Sequence, residues 1–115
     1  MSLDVTLKKM QMSSVFDANI THNLGLMASK VKIGKVKKAT LYYYLWRPDE
    51  IEITKARQLI EPLQIGLNLL LKSPKKYQKF NPSNGWGDYD GLVSFVIKYL
   101  AACKQFPNAK IEVDR

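Results

Sequence analysis

The chain has 115 residues, of which 46% are hydrophobic and 24% charged, and its formal net charge is +8. This length and composition favour one globular domain, residues 1–115. The single cysteine, Cys103, excludes an intramolecular disulfide and a cysteine-based zinc site. No apolar run approaches the ~18 residues of a membrane span, and the first residues lack a signal-peptide layout. We therefore expect a cytoplasmic protein with no membrane partner and no cofactor.

The first elements follow from apolar periodicity. Leu3, Val5 and Leu7 alternate with polar residues, which predicts a half-buried strand. Residues 9–19 are expected to be extended or looped. Apolar residues then recur at helical spacing from Ile20 to Val31, which predicts a helix capped by Asn19 or Thr21. The basic residues 32–40 predict a loop.

The middle of the chain is less regular. Residues 40–46, rich in tyrosine, fit either a strand or a short helix that ends before Pro48. Thr54 is a candidate N-cap for the next helix, in which Pro62 predicts a bend near Glu61. A short helix is expected from Ser73 and Pro74 through Phe80.

The end of the chain gives the clearest pattern. Asp88 is placed to cap an amphipathic helix that continues to Cys103. Residues 109–113 alternate apolar and polar side chains, as in a strand. Because a lone strand leaves its backbone groups unpaired, we expect the two terminal strands to pair with each other. The sequence predicts a small α+β domain, with three to four helices on one face of that sheet.

Residues 19–23 are the first candidate site. A helix start offers free backbone N–H groups to an anion such as phosphate, and Asn19 and Asn23 add polar side chains. His22, the only histidine, is a candidate general base or ligand contact. The alternative is that Asn19 or Thr21 caps the helix while His22 makes a structural hydrogen bond. A lone histidine argues against zinc.

The loop of residues 81–91 is the second candidate site. Trp86 lies between Gly85 and Gly87, and its indole and the ring of Tyr89 are candidates to stack on a planar ligand. Asn84 or Asp88 would then contact the polar edge of that ligand. In the alternative, Trp86 covers the core while the glycines permit a tight turn. The glycine spacing is not a dinucleotide fingerprint, since a helical segment precedes it.

Two further sets of residues suggest anion binding. Arg47, beside Trp46, is a candidate clamp for phosphate or carboxylate, although pairing with Asp49 or Glu50 is an alternative. Lysines cluster in residues 30–38 and 72–79, and a basic field attracts nucleic acid or nucleotides. A solvated lysine-rich surface is the alternative. The candidate nucleic-acid contacts are Lys35, Lys37, Lys38, Lys75 and Lys76.

Two segments together resemble a group of small phage- and prophage-borne proteins. They are residues 19–23 (Asn-Ile-Thr-His-Asn) and residues 84–87 (Asn-Gly-Trp-Gly), and residues 45–48 and 107–113 are also similar. The chain departs from the group in residues 30–38 and 42–44. The resemblance implies a viral origin and a small protein in the cytoplasm of the host cell, and it implies no biochemical activity.

These features lead to three hypotheses. The first is a phage accessory protein that binds a small polar or phosphate-bearing ligand, such as a nucleotide, with sequestration or counter-defence as an analogy. The second is a nucleic-acid-binding module that uses the lysine clusters. The third is a host-protein-binding effector that docks through the surface of residues 42–46. Association into a homo-oligomer is left open. Enzymatic activity ranks last, because no nucleophile and base pair is visible in the sequence.

Overall fold

The structure is a computed structural model that describes residues 1–10 and 13–115. Three strands form one antiparallel sheet in the order β2-β1-β3: β1 is Ser2–Met10, β2 is Ser13–Thr21 and β3 is Lys110–Asp114. The predicted pairing of the terminal strands is confirmed, with Val5 opposite Val113 and Leu7 opposite Ile111. β1 lies between the other two strands, so its backbone is paired along both edges.

Five α-helices complete the fold of the residues that the structure describes. They are α1 (Gly25–Ser29), α2 (Leu41–Trp46), α3 (Arg57–Lys72), α4 (Pro74–Gln78) and α5 (Tyr89–Gln105). Short 3-10 turns cover His22–Leu24 and Pro48–Ile51. The predicted α+β class is confirmed, with more helices than the three to four expected. None of the helices in the described part of the chain is long and apolar enough to cross a membrane.

The core lies on one face of the sheet. Leu3, Val5 and Leu7, which alternate along β1, are completely buried. α5 closes this face beside β2, where the ring of Phe16 stacks on the ring of Tyr99 at a centroid distance of 5.9 Å. The two-residue period of β1 therefore decides which face of the sheet receives the helices.

The prediction for residues 9–31 was wrong in one respect. Ile20 belongs to β2, opposite Leu3, and the helical segment begins only after it. Asn19 therefore lies inside the strand, and the cap comes from Thr21, whose Oγ1 accepts a hydrogen bond from the backbone N–H of Asn23 at 3.3 Å. The strand is favoured because the side chain of Ile20 is buried beside Leu3 in this register. Residues 11 and 12, part of the segment expected to be extended or looped, lie outside the described residues.

The middle of the chain forms helices. Residues 41–46 are helical, because this conformation buries Leu41, Leu45 and Trp46 together. Thr54 does not cap α3: the Oε1 atom of Gln58 accepts hydrogen bonds from the backbone N–H groups of Thr54 and Lys55, both at 2.9 Å. The helix continues through Pro62 without a break.

Other boundaries agree with the sequence more closely. α4 follows Ser73 as predicted but ends at Gln78, two residues before Phe80. Asp88 caps α5, as predicted, by accepting a hydrogen bond from the backbone N–H of Gly91 at 2.7 Å. The basic loop after α1 is also confirmed, and it is closed by a hydrogen bond from the N–H of Ile33 to the carbonyl of Ala39 at 2.8 Å.

Candidate functional site

The loop between α4 and α5 presents the indole of Trp86 to solvent. The side chain of Asn84 accepts a hydrogen bond from the backbone N–H of Trp86 at 2.9 Å, and Asn81 accepts one from Tyr89 at 2.8 Å. Gly85 and Gly87 have φ angles of +78° and +95°, a conformation that side chains disfavour. Trp86 is 67% exposed. The loop is therefore held by its own asparagines while its largest apolar side chain faces outward.

The same loop packs against the end of β2. A Cβ atom at Gly87 would lie 2.7 Å from Cγ2 of Thr21 and 3.0 Å from Cγ of Leu24. Nearby, Nδ2 of Asn84 donates a hydrogen bond to Oδ1 of Asn23 at 3.4 Å. The absence of a side chain at Gly87 permits this approach and brings together two segments about 60 residues apart in the sequence.

A solvent-open cleft of about 490 Å³ lies where these two segments meet, and we call it the amide cleft. Three asparagines give it both hydrogen-bond donors and acceptors. Its lining residues are Met1, Ser2, Asn19, Thr21, Asn23, Asn84 and Trp86. The exposed indole thus stands beside amide groups that are suited to the polar edge of a planar ring.

A second open cleft, of about 370 Å³, brings the two lysine clusters together, and we call it the lysine cleft. The Nζ atoms of Lys30 and Lys79 each lie 5.5 Å from the centroid of the Phe80 ring, and Nζ of Lys76 lies 5.4 Å from that of Tyr77. The lining residues are Lys30, Lys32, Leu69, Lys76, Tyr77, Lys79 and Phe80. Within the described residues, none of these lysines forms a salt bridge.

The two clefts are neighbours along one strip of surface. Both are lined mainly by residues of the chain segments 19–32 and 76–86, and the 3-10 turn at His22–Leu24 followed by α1 leads from Asn23 in the amide cleft to Lys30 in the lysine cleft. Seven residues of helical chain span about 10 Å. We call this strip, formed by the two clefts, the seam. It has an aromatic ring and amides at one end and four ammonium groups at the other.

His22 and Trp46, both predicted as ligand contacts, bind each other. Nε1 of Trp46 donates a hydrogen bond to Nδ1 of His22 at 2.8 Å, and Trp46 is only 2% exposed. The ring of Tyr42 stacks on Trp46 at a centroid distance of 5.4 Å. Nδ1 of His22 and the indole of Trp46 are thus engaged within the protein.

Arg47 is also engaged within the protein. Its Nε donates a hydrogen bond to the hydroxyl of Tyr42 at 3.0 Å, and its Nη1 pairs with the carboxylate of Glu50, as in the alternative considered for the sequence. These hydrogen bonds raise the pKa of the Arg47 guanidinium. The neighbouring Asp49 pairs with Arg115, whose hydrogen bond holds the pKa of that carboxyl below its usual range.

Tyr89 lies in the core rather than beside Trp86. It is 6% exposed, and its hydroxyl donates a hydrogen bond to the carbonyl of Leu70 at 2.5 Å. Burial raises the pKa of the Tyr89 hydroxyl. Of the seven predicted ligand contacts, the structure brings Asn19, Asn23 and Trp86 into one cleft and leaves the other four outside it.

Of the five predicted nucleic-acid contacts, the structure places one in the lysine cleft and four outside it. Lys76 lines the lysine cleft, while Lys35, Lys37 and Lys38 lie exposed on the basic loop, with Lys38 5.9 Å from the ring centroid of Tyr43. Lys75 is exposed on α4. The other lysines that line the cleft are Lys30, Lys32 and Lys79. They belong to the two lysine clusters but were not among the predicted nucleic-acid contacts. Charge density pointed to the two segments, and the approach of residues 30–32, which follow α1, to residues 76–80 decides which of their lysines line the cleft.

Comparison of the chain with models of known protein families, with curated proteins and with solved structures gave no significant match. The similarity to phage-borne proteins therefore stays a prediction. Function has to be inferred from the seam.

Proposed function

We propose that this protein binds single-stranded nucleic acid along the seam. The observation that carries the proposal is the convergence of two distant lysine clusters around Phe80, next to an exposed tryptophan. Lys30 and Lys79 are 49 positions apart in the chain, yet both lie over one phenylalanine ring. Such an arrangement combines a site for phosphates with a platform for bases.

Charge repulsion makes the lysine cleft a favourable site for an anion. Lys30, Lys32, Lys76 and Lys79 line it together, and among the described residues no carboxylate lines it. Ammonium groups held this close repel each other, and a bound phosphate replaces that repulsion with attraction. In a chain with a net charge of +8, long-range attraction would also accelerate the first encounter with a polyanion.

The amide cleft is suited to an unpaired base. Stacking on an exposed aromatic ring contributes about 1–3 kcal/mol per base and depends little on which base is bound. The amides of Asn23 and Asn84 stand beside the ring, and beyond their hydrogen bonds within the protein each keeps one N–H and one oxygen lone pair for a ligand. Asn23 and Lys30, which line the two clefts, are about 10 Å apart along the helical chain, so one stretch of nucleic acid can place a base at one end and phosphates at the other.

The shape of the seam favours a polymer over a small metabolite. Pockets for small molecules bury about 70–90% of the ligand surface. Here the indole of Trp86 remains 67% exposed, and the lysines line an open surface rather than an enclosed cavity. A chain laid across the seam gains many weak contacts, whereas a single nucleotide gains few. The mononucleotide hypothesis is therefore second.

The proposal is tested by the anisotropy of labelled DNA and RNA oligonucleotides of 12 nucleotides, single-stranded and duplex, over a range of salt concentrations. We expect single strands to bind more tightly than duplexes, and the logarithm of affinity to fall linearly with the logarithm of salt concentration. Replacing Lys30, Lys76 and Lys79 with Gln should weaken binding by tenfold or more and reduce the salt slope by about 2, at roughly 0.7 per phosphate contact.

A matched control replaces the exposed lysines Lys55, Lys98 and Lys110, which lie outside the seam, and so removes the same total charge. Equal losses in the two triple variants would show that binding follows net charge or the cleft that Lys55 and Lys110 line with Lys8 and Lys9, and would contradict the seam. Absence of binding to every single strand at low salt would remove the proposal altogether.

The stacking platform has its own test. Trp86→Ala should weaken binding roughly tenfold, as expected for the loss of one stacked base, with little change in the salt slope. Ile97→Ala is the control, because Ile97 is another exposed apolar side chain, 47% exposed on α5. If mononucleotides compete as effectively as the oligonucleotide on a molar basis, the small-ligand hypothesis replaces this one.

The third hypothesis, docking on a host protein through residues 42–46, has less support. Leu41, Leu45 and Trp46 are buried, and Tyr42 stacks on Trp46. The half-buried rings of Tyr42, Tyr43 and Tyr44 are therefore the part of this surface that is left for a partner. An accessory role in a phage remains compatible with nucleic-acid binding, and it rests on the sequence resemblance alone.

A further inference from the structure

β2 ends the sheet with an edge that pairs with no other strand of the described chain, and the loop of residues 84–87 packs only against its end, at Thr21. The opposite edge is protected: the N–H of Ile111 in β3 donates to the carbonyl of Thr54, and the N–H of Ala56 donates to the carbonyl of Ala109. Among the described residues, backbone hydrogen bonds of Ser13–Ile20 go to β1 only. An uncovered edge of this length is a template for pairing with another strand.

The register shows which backbone groups are free. The N–H of His22 donates to the carbonyl of Met1, so the pair of Met1 and His22 exchanges ladder hydrogen bonds. In an antiparallel ladder such pairs alternate, so Ile20, Ala18 and Phe16 also direct their backbone groups toward β1. The N–H and C=O groups of Asp17, Asn19 and Thr21 therefore point away from the sheet.

The devices that block edge pairing are scarce on β2. Exposed edges are commonly guarded by lysine, by proline or by a bulge. β2 has neither lysine nor proline, and the two register shifts of its ladder, between Leu7 and Lys8 and between Lys8 and Met10 of β1, both lie at one end. Residues 10–29 form the longest stretch of this +8 chain without Lys or Arg. Repulsion between two copies of the chain is therefore least at this edge.

The edge is also complementary to itself. When two β2 strands pair antiparallel about a two-fold axis at Ala18, Phe16 faces Ile20 of the second copy on the core side. On the outer side, Asp17 faces Asn19 of the second copy. The outward-pointing groups of Asp17 and Asn19 then form four backbone hydrogen bonds across the axis. A two-fold axis at Asp17 instead would oppose two like charges, which disfavours that register.

We infer that the protein forms a two-fold symmetric dimer through antiparallel pairing of β2 with β2 of a second copy, with Ala18 at the axis. The two three-stranded sheets become one sheet of six strands. In this register Thr21 aligns with Val15 of the second copy, which sets the two Thr21 residues about 20 Å apart at 3.3 Å per residue. The inference does not depend on nucleic-acid binding and is tested without it.

The first measurement is the molar mass in solution, by light scattering or sedimentation over a range of concentrations. We expect twice 13.2 kDa at micromolar concentration. Asp17→Pro removes one outward N–H per copy and leaves the ladder to β1 intact, so it should weaken dimerisation by roughly tenfold or more relative to Asp17→Ala, which loses the same hydrogen bonds from Thr6 and Ser14 but keeps the N–H. A wild-type mass of one chain throughout the concentration range would overturn the inference.

Disulfide trapping tests the register and does not rely on Asp17→Pro remaining folded. In a Cys103→Ala background, Ala18→Cys places two thiols opposite each other at the axis, where Cα atoms lie about 4.5 Å apart in a pair without ladder hydrogen bonds. We expect rapid covalent dimerisation under mild oxidation. Ser14→Cys is the control, because in this register the thiols introduced into the two copies are eight positions apart along the paired strands, too far for a disulfide. Equal cross-linking of the two variants, or none in Ala18→Cys, would overturn this register.

Discussion

The indole of Trp46 and the imidazole of His22 are joined by a hydrogen bond of 2.8 Å between Nε1 and Nδ1. The bond links the last residue of α2 to the first residue after β2, 24 positions earlier. It also fixes the chemistry of His22: Nδ1 acts as an acceptor, so the hydrogen of a neutral ring is on Nε2. The only histidine of the chain therefore positions two elements of the fold.

Removing the imidazole should destabilise the protein. In His22→Ala the buried indole N–H loses its acceptor, which costs about 1–3 kcal/mol of unfolding free energy. Urea denaturation followed by circular dichroism measures this change. The matched experiment is a double-mutant cycle with Trp46→Phe, which has no indole N–H. In that background His22→Ala should lower the free energy of unfolding by about 1 kcal/mol less than it does in the wild type. The same cost in both backgrounds would contradict a direct interaction.

Gly87 should tolerate a side chain less well than Gly85. Both residues have positive φ angles, so alanine strains the backbone by about 1–2 kcal/mol at each position. At Gly87 the new Cβ would also meet Thr21 at 2.7 Å, whereas at Gly85 it meets nothing within 4 Å. We expect Gly87→Ala to lower the free energy of unfolding by about 1–3 kcal/mol more than Gly85→Ala, owing to overpacking.

Comparing Gly87→Ala with Gly85→Ala separates the steric contact between the loop and Thr21 from the backbone strain of the turn, which both variants share. Urea denaturation of both variants gives the comparison directly. If Gly85→Ala is as destabilising as Gly87→Ala, backbone strain alone controls the loop, and the contact with Thr21 contributes nothing. Since Thr21 also lines the amide cleft, Gly87→Ala should in addition weaken oligonucleotide binding.

Cys103 should be unreactive in the folded protein. The side chain is completely buried on α5, and burial raises the pKa of the thiol to about 12. At pH 8 only about one molecule in ten thousand would carry the reactive thiolate, even with access to reagent. We expect a chromogenic disulfide reagent to react at the rate of unfolding in water and rapidly in denaturant. Fast labelling of the native chain would contradict the buried position.

The ion pair of Asp49 and Arg115 should make a small, pH-dependent contribution. Arg115 lowers the pKa of the Asp49 carboxyl from its ordinary value of 3.8. Because the carboxyl has a lower pKa in the folded protein than in the unfolded chain, ionised Asp49 stabilises the fold above pH 3.8. This stabilisation is lost as the pH falls through the pKa of Asp49 in the folded protein. Because the Asp49 side chain is 59% exposed, screening by solvent limits the effect to below about 1 kcal/mol.

The measurement compares Asp49→Asn with the wild type at several pH values. The variant should be slightly less stable at pH 7, and the difference should shrink toward zero below pH 3.8. High salt should reduce the difference in the same way. A difference that persists unchanged in strong acid would have to come from packing rather than from charge.

Local sequence determined much of the fold, because periodicity and capping act over a few residues. The alternation of Leu3, Val5 and Leu7 predicted β1 and its buried face, and Asp88 predicted the start of α5. The pairing of the terminal strands followed from the need to satisfy backbone hydrogen bonds. Such signals depend on neighbours along the chain, so one sequence is enough to find them.

The end of β2 and the conformation of α2 could not be predicted from neighbouring residues in the sequence. Ile20 fits a helix and a strand equally well by spacing, and only its burial opposite Leu3 decides for the strand. Residues 41–46 have strand-forming side chains but become a helix, because this conformation buries Leu41, Leu45 and Trp46 together. Tertiary packing outweighs propensities of this size.

The residues of the candidate site also fall into two groups, those that the sequence indicated and those that only tertiary packing placed. The sequence by itself marked Trp86, Asn19, Asn23 and the two lysine clusters as unusual, since exposed aromatic, amide and basic residues in loops have few structural uses. Only the tertiary structure paired His22 with Trp46, buried Tyr89 under α3 and joined Lys30 to Lys79 over Phe80. The residues that these contacts bring together are 19 to 50 positions apart in the chain. Such distances are set by how helices pack on the sheet, and no local pattern of residues encodes them.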